Sequence, residues 1–521
     1  MRRLFSIALL AGVGVLMAPL ADAQPLRDAS VARVRVEQGV LEGSHQKGFD
    51  AFLGVPFAAP PIGDNRWRAP LPAPSWQGAR SATTFGASCW QRVDKKGFGP
   101  WTHEYVVQDA VSEDCLFLNV WRPSTPHARK LPVMVWIHGG GFNSGSGSVP
   151  IYNGKHLAER GVIVVTINYR LGALGFLAHP DITREANGAP PGNFGLQDQI
   201  AALRWIQHNI AQFGGDPKRV TIAGQSAGSM AVHALVASPL AKGLFSGAIA
   251  ESGIPLPQNT LEAAEKAGVS FAQKVGATTL ADLRALPPEK LAGAGGGPIV
   301  DGKLLTDSIA AMTAHGQFND VPMIVGQNTD ENISLKPAPT GLSVEDYETA
   351  LSKQYGDMAP AFEAAYPAKD DHARAEAARQ IHYEKGLASI WQWAQSRAPY
   401  AKAPSYAYLY THPETGPESK QWRVFHSSEI PYVFGTFDES PERGFTATDR
   451  QVSKTISTDW LNFIRNGNPN GPGVSPWPTL NPAAPQMAQI NAVAKKRPLV
   501  EPARLDLFKA YVAKGGVVGT F

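Results

Sequence analysis

A chain of 521 residues is long enough for one large domain or for two or three ordinary ones. Its 43% apolar and 18% charged content is that of an ordinary globular protein. The formal net charge of +3 is small for this length and shows no clustered basic footprint, so nucleic-acid binding is not expected.

Residues 1–23 read as a secretory signal peptide. Arg2 and Arg3 form the positive region, Leu4 to Leu20 the apolar core, and Ala21-Asp22-Ala23 a small-x-small cleavage site that would leave Gln24 first. The competing reading is an uncleaved membrane anchor, which Pro19 and the cleavage site disfavour. No later run is apolar enough to cross a bilayer, so no stable span is expected after cleavage. The expected location is therefore outside the cytoplasm, periplasmic or secreted. The only cysteines are Cys89 and Cys115, and export permits a disulfide.

Residues 56–76 are proline-rich and read as an ordered surface segment. Short apolar runs then recur at 133–137, 162–167, 220–223, 248–250, 323–325 and 406–410, with helical patterning between them. Continuous apolar strands alternating with helices indicate a mostly parallel sheet covered on both faces. Leu196, Ile200, Leu203, Ile206 and Ile210 fall at spacings of three and four and predict one helix over 196–212. Residues 256–320 and 335–400 read as helices walling in a site, with Gly293 to Gly297 as a flexible loop.

Two glycine clusters carry chemistry. His138-Gly139-Gly140-Gly141-Phe142 follows the run 133–137, and consecutive glycines there let backbone N–H groups face a cavity, as an oxyanion hole requires. Gly224-Gln225-Ser226-Ala227-Gly228 follows the run 220–223 and precedes a helical stretch. That is strand, sharp turn and helix, with a serine at the apex. The flanking glycines have a steric reason, because a Cβ two residues either side of the serine would meet neighbouring backbone. A serine nucleophile needs a base and a third group to orient that base. The histidines after it are His233, His315, His372, His382, His412 and His426, and spacing alone does not choose among them. Asp330 and Glu331, after the run 323–325, are both chemically able acids. No His/Cys cluster has zinc spacing and no dinucleotide fingerprint lies in context, so neither a metal nor an organic cofactor is expected.

The chain resembles the type B carboxylesterases, the α/β-hydrolase family that also contains the cholinesterases. The matching segments run in the family's order: 52–61, Ser112-Glu113-Asp114-Cys115-Leu116-Phe117-Leu118-Asn119-Val120, Asn168-Tyr169-Arg170-Leu171-Gly172, 192–198, Phe213-Gly214-Gly215-Asp216-Pro217, Trp460-Leu461-Asn462-Phe463 and 468–471. The resemblance implies one α/β-hydrolase domain over 24–521, with helical insertions walling the active site, and a bridge between Cys89 and Cys115. It implies a Ser226, Glu331 and His426 triad, with Phe425-His426-Ser427-Ser428-Glu429 as the histidine segment. Asn332 departs from the pattern where relatives usually have glycine, which puts the choice of Glu331 over Asp330 in question. Gly140, Gly141 and Ala227 are the implied oxyanion donors. Phe142, Tyr105 and Trp101 are candidates to line the substrate pocket. Tyr105 stands where a cholinesterase has a cation-binding tryptophan, so a choline ester is disfavoured. The implied activity is hydrolysis of medium-sized, uncharged or aromatic esters, the partner being a small-molecule ester. A hydrolase specialised for a toxin, lactone or polyester is the alternative, and a non-catalytic adhesion protein on the same fold is a lesser one.

Overall fold

A computed structural model describes residues 31–520, apart from 126–128, 256, 292–295, 335–336, 338, 417, 472–473 and 475. The signal segment 1–23 and most of the 293–297 loop lie outside the described residues.

Among these residues the chain is organised by one thirteen-stranded sheet. Its strands are β1 Val31–Val36, β2 Gly39–His45, β3 Phe49–Pro56, β4 Ala79–Ser81, β5 Phe117–Pro123, β6 Leu131–Ile137, β7 Ile163–Ile167, β8 Gly215–Gln225, β9 Gly247–Glu251, β10 Met323–Asn328, β11 Ser405–Tyr410, β12 Gln486–Ile490 and β13 Lys495–Pro498. They stand in the order β1-β2-β3-β5-β7-β6-β8-β9-β10-β11-β12-β13, with β4 beside β2. From β7 to β12 every neighbouring pair is parallel. The margins are antiparallel, through β1, β2, β3 and β5 on one side and β13 on the other, while β4 pairs parallel with β2.

The parallel strands are apolar throughout because both their faces are covered. Along β6, Val133, Val135 and Ile137 pack into one core, with Leu196, Ile200, Leu203 and Ile206 of helix α1 (Phe194–Asn209). Met134 and Trp136 point the other way, into a core shared with the helix at Ala447–Asn466 through Val452, Ile456, Trp460 and Phe463. Helix α1 starts two residues earlier than its stripe predicts and runs on as a tighter 3₁₀ turn to Phe213. It stops at Gly214, whose φ of 90° only glycine adopts easily.

Helix α2 (Ala227–Ala237) follows β8, and helix α3 (Leu261–Lys274) and helix α4 (Asp371–Arg397) belong to the two helical stretches. The helix Ala447–Asn466 is α5. No helix among the described residues is long and apolar enough to cross a membrane. Registers such as Ile137 opposite Gly224, and Gln225 opposite Glu251, line up the carboxyl ends of the parallel strands. Ligands bind at that edge in open α/β sheets.

Candidate active site

Ser226 is the single residue between β8 and α2, with φ 60° and ψ −123°. A non-glycine residue with positive φ is strained, and here the surroundings hold it. Its N–H donates to the Glu251 carbonyl at 2.9 Å, and its carbonyl accepts from Met230 N–H at 3.0 Å. The flanking glycines behave as their spacing predicts. A Cβ on Gly228 would lie 2.0 Å from the Ile137 carbonyl oxygen, and one on Gly224 would lie 2.6 Å from the Gly228 carbonyl. Strand and helix can approach so closely only because both positions lack side chains.

Gly140, Gly141 and Phe142 are consecutive residues at φ 100°, 62° and 60°. The Gly140 carbonyl accepts from both Asn143 and Ser144 N–H at 3.0 Å, which closes the turn. The loop passes against the serine, since a Cβ on Gly139 would stand 3.1 Å from that of Ser226. Behind it His138 is buried and stacked on Tyr169, with ring centroids 4.4 Å apart. Its Nδ1 carries a proton to the Gly139 carbonyl at 2.8 Å. Burial pulls its pKa down to about 4, so it stays neutral and acts as a packed support for the turn.

His426 is assembled from more distant parts. Its Nδ1 is hydrogen-bonded to Glu331 Oε2, and its backbone N–H donates to Ser334 Oγ at 3.0 Å. Asn328 N–H donates to the other Glu331 oxygen at 2.7 Å. Gln225, the residue before the serine, brings its amide nitrogen within 3.2 Å of both imidazole nitrogens, which sets the ring beside the turn. Asp330 is engaged elsewhere. It pairs with Arg379 of α4, Nη2 to Oδ2 at 2.7 Å, and accepts from Thr329 Oγ1 at 2.8 Å. Glu331 and Asp330 thus serve different partners. Asn332 takes no positive φ, so the loop does not need the glycine found in relatives.

Two further buried carboxyls stand behind His426. Glu429 Oε2 accepts from Asn328 Nδ2 at 2.6 Å. Burial first, and the nearby Glu331 charge second, push Glu429 up to about 7. Glu251 accepts from Trp460 Nε1 at 2.7 Å, and burial, with Glu429 beside it, holds its carboxyl well above the usual range.

A cavity of about 580 Å³ opens beside Ser226 and Ala227. Gly141, Phe142, Phe176, Met230 and Phe271 of α3 line it, and among the described residues no charged side chain does. The first helical stretch supplies part of its wall, while α4 backs the acid loop through Arg379. Of the pocket candidates, Phe142 lines this cavity. Tyr105 lines a smaller one of about 130 Å³, with Gly139 and Gly140. The Arg443 guanidinium sits 4.9 Å from the Tyr105 ring centroid and so already occupies a face that could have met a cationic substrate. Trp101 is not among the residues lining either cavity; its indole N–H donates to the His426 carbonyl at 3.0 Å. Cys89 and Cys115 are joined by a disulfide.

A serine held on a strained strand-to-helix turn, at the carboxyl edge of a mostly parallel sheet with helices on both faces, defines an α/β-hydrolase. The Carboxylesterase family model matches residues 30–507, and the chain belongs to that family. It is 36% identical over 467 residues to the fumonisin B1 esterase of Sphingopyxis macrogoltabida, covering 85% of this chain and 83% of that one. It is 36% identical over 472 residues to the para-nitrobenzyl esterase of Bacillus subtilis, covering 85% and 92%. It is 34% identical over 498 residues to human cocaine esterase, covering 88% and 86%. A solved structure of a PNB esterase superposes with a TM-score of 0.76 at 32% identity, over 91% of this chain and 99% of that one. The protein is a carboxylic-ester hydrolase.

Ser334, Asn328 and Arg379 were not found by sequence reasoning. Each has a partner 49 to 101 residues away, and no local pattern marks such a pairing.

Proposed function

We propose that Ser226 is the nucleophile, His426 the general base and Glu331 the residue that orients it. His426 takes the serine proton as Ser226 attacks the ester carbonyl, then returns it to the leaving alcohol. Glu331 holds Nδ1 protonated, which makes Nε2 the basic nitrogen of the ring, and stabilises the imidazolium. The N–H groups of Gly140, Gly141 and Ala227 receive the tetrahedral oxyanion. Water then releases the acid by the reverse proton path. The observation that carries this reading is the hydrogen bond between His426 and Glu331 beside the turn of Ser226.

The leaving alcohol lies on the side of His426, which protonates it. The acyl group then enters the large cavity next to Ser226 and Ala227. A lining without charge favours uncharged, medium-sized or aromatic acyl groups. Similarity does not choose between a toxin-directed and a general esterase, since the fumonisin and para-nitrobenzyl enzymes are equally identical to this chain. The lining supports the general one. The protein acts outside the cytoplasm after cleavage behind Ala23, as a single domain over 24–521.

A fluorophosphonate probe should inactivate the enzyme one to one and label the peptide that carries Ser226. A panel of esters differing in acyl length and charge should show the highest kcat/KM for neutral acyl groups. Label on another residue, or a preference for anionic acyl groups, would overturn the reading. Amino-terminal sequencing of the exported protein should begin at Gln24.

A further inference from the structure

We propose that Trp101 is a positioning residue for His426, and that the disulfide-closed segment 89–115 serves to hold it there. The inference rests on His426 being the base. The imidazole is met by the Glu331 carboxylate and the Gln225 amide, and its backbone is held at both ends. Ser334 Oγ accepts its N–H, and Trp101 Nε1 donates to its carbonyl, each at 3.0 Å. The second contact joins positions 325 residues apart. The next residue, Ser427, has φ 79°, a left-handed conformation that a serine adopts at a cost. The carbonyl of His426 belongs to the peptide that enters this residue. A donor fixed on that oxygen therefore opposes relaxation of the peptide and rotation of His426 away from Ser226. The indole also stands edge-on to the imidazole, with ring centroids 6.3 Å apart and planes at 84°.

Trp101 is itself held closely. Both of its chain neighbours are bound by Arg443, whose Nη2 donates to the Pro100 carbonyl at 2.5 Å and to Thr102 Oγ1 at 2.8 Å. Arg443 is fixed in turn by Glu414, at 2.6 Å, and by Glu104. Two residues earlier Gly99 has φ 56°, and a Cβ there would lie 2.8 Å from the Ser334 carbonyl oxygen. The segment thus presses against the same Ser334 that holds the His426 N–H. Cys89 and Cys115 close the segment at its ends. Trp101 lines neither cavity at the site, so its N–H is used on the base and not on substrate.

Misplacement of a base that must also act as an acid has a distinctive kinetic mark. An alkyl alkoxide cannot leave without the proton from His426, whereas p-nitrophenolate can. Trp101→Phe keeps the ring and removes the N–H. With one acyl group on both substrates, we expect kcat for the ethyl ester to fall about 3- to 10-fold, the range of one neutral hydrogen bond. The p-nitrophenyl ester should fall less, KM should stay within about twofold, and the fraction titrated by fluorophosphonate should be unchanged. Gly99→Ala should reproduce the same split between the two esters. An unchanged kcat with a raised KM would make Trp101 a substrate contact and overturn the proposal. So would an equal loss on both esters accompanied by a smaller titratable fraction, which is plain destabilisation. His426→Ala separates the two levels. If that variant remains active, the reading of the base fails. If it is inactive while Trp101→Phe matches the wild type on both esters, only the positioning role fails.

Discussion

Ser226 is fixed by two glycines within five residues of chain, which let α2 close onto β6, and by backbone hydrogen bonds to Met230 of α2 and Glu251 of the neighbouring β9. His426 is fixed by side chains at positions 101, 225, 331 and 334. The serine side depends on the absence of atoms, and the histidine side on the presence of polar ones. The two sides should therefore fail differently. An added methyl group should damage the first, and a lost donor or acceptor the second.

The largest effect expected is removal of the nucleophile. Ser226→Ala should lower kcat on the order of 10⁴- to 10⁶-fold while leaving thermal unfolding close to that of the wild type. Residual activity above a few per cent in a preparation free of wild-type enzyme would place the nucleophile elsewhere. Next comes the steric claim. Gly228→Ala puts a Cβ 2.0 Å from the Ile137 carbonyl oxygen, so strand or helix must move. Urea unfolding should show a loss of about 1–3 kcal/mol, typical of overpacking, together with a fall in kcat. Full stability and activity in this variant would show that the turn does not need its glycines.

A smaller effect concerns pH on the histidine side. Glu429 is raised to about 7 in the folded protein, against about 4.3 for an unfolded glutamate. The folded state then holds the proton more tightly, so this group favours folding at low pH. Its contribution is lost as pH rises from about 4 to about 7, and is flat above that. Glu429→Gln lacks the ionisation and still accepts from Asn328. Its stability relative to wild type should therefore rise by about 3 kcal/mol between pH 4 and pH 8, as measured by urea unfolding. A constant difference across that range would mean that Glu429 titrates normally.

Much of the serine side was legible in the sequence, because its causes are local. Gly224, Gly228 and the Gly139–Gly141 run sit beside apolar strands, and the apolar spacing of Leu196 to Ile206 placed α1 to within a few residues. The six apolar runs correspond to β6 to β11. The antiparallel margins were not read. They carry mixed apolar and polar residues, as in Val31–Val36, whose faces alternate between buried and exposed. On the histidine side the sequence offered six histidines and two adjacent acids, and only family resemblance chose among them. The structure adds what separates the acids: Arg379, 49 residues on, claims Asp330. It also gives Trp101 a different place from the substrate-pocket position expected of it. Contacts across such separations leave no periodic trace in a single sequence.

The triad depends on which neighbour of the Asp330–Glu331 pair serves His426, and kcat measured for the two amide variants side by side tests this most directly. Glu331→Gln should lower kcat on the order of 10³- to 10⁴-fold with ordinary unfolding, as loss of the orienting carboxylate does in triad enzymes. Asp330→Asn should keep kcat within about tenfold but lose about 1–3 kcal/mol of stability. It strips a fully buried carboxylate from Arg379, whose side chain is 27% exposed and so partly hydrated. Equal losses of kcat, or a larger loss in Asp330→Asn, would contradict the assignment.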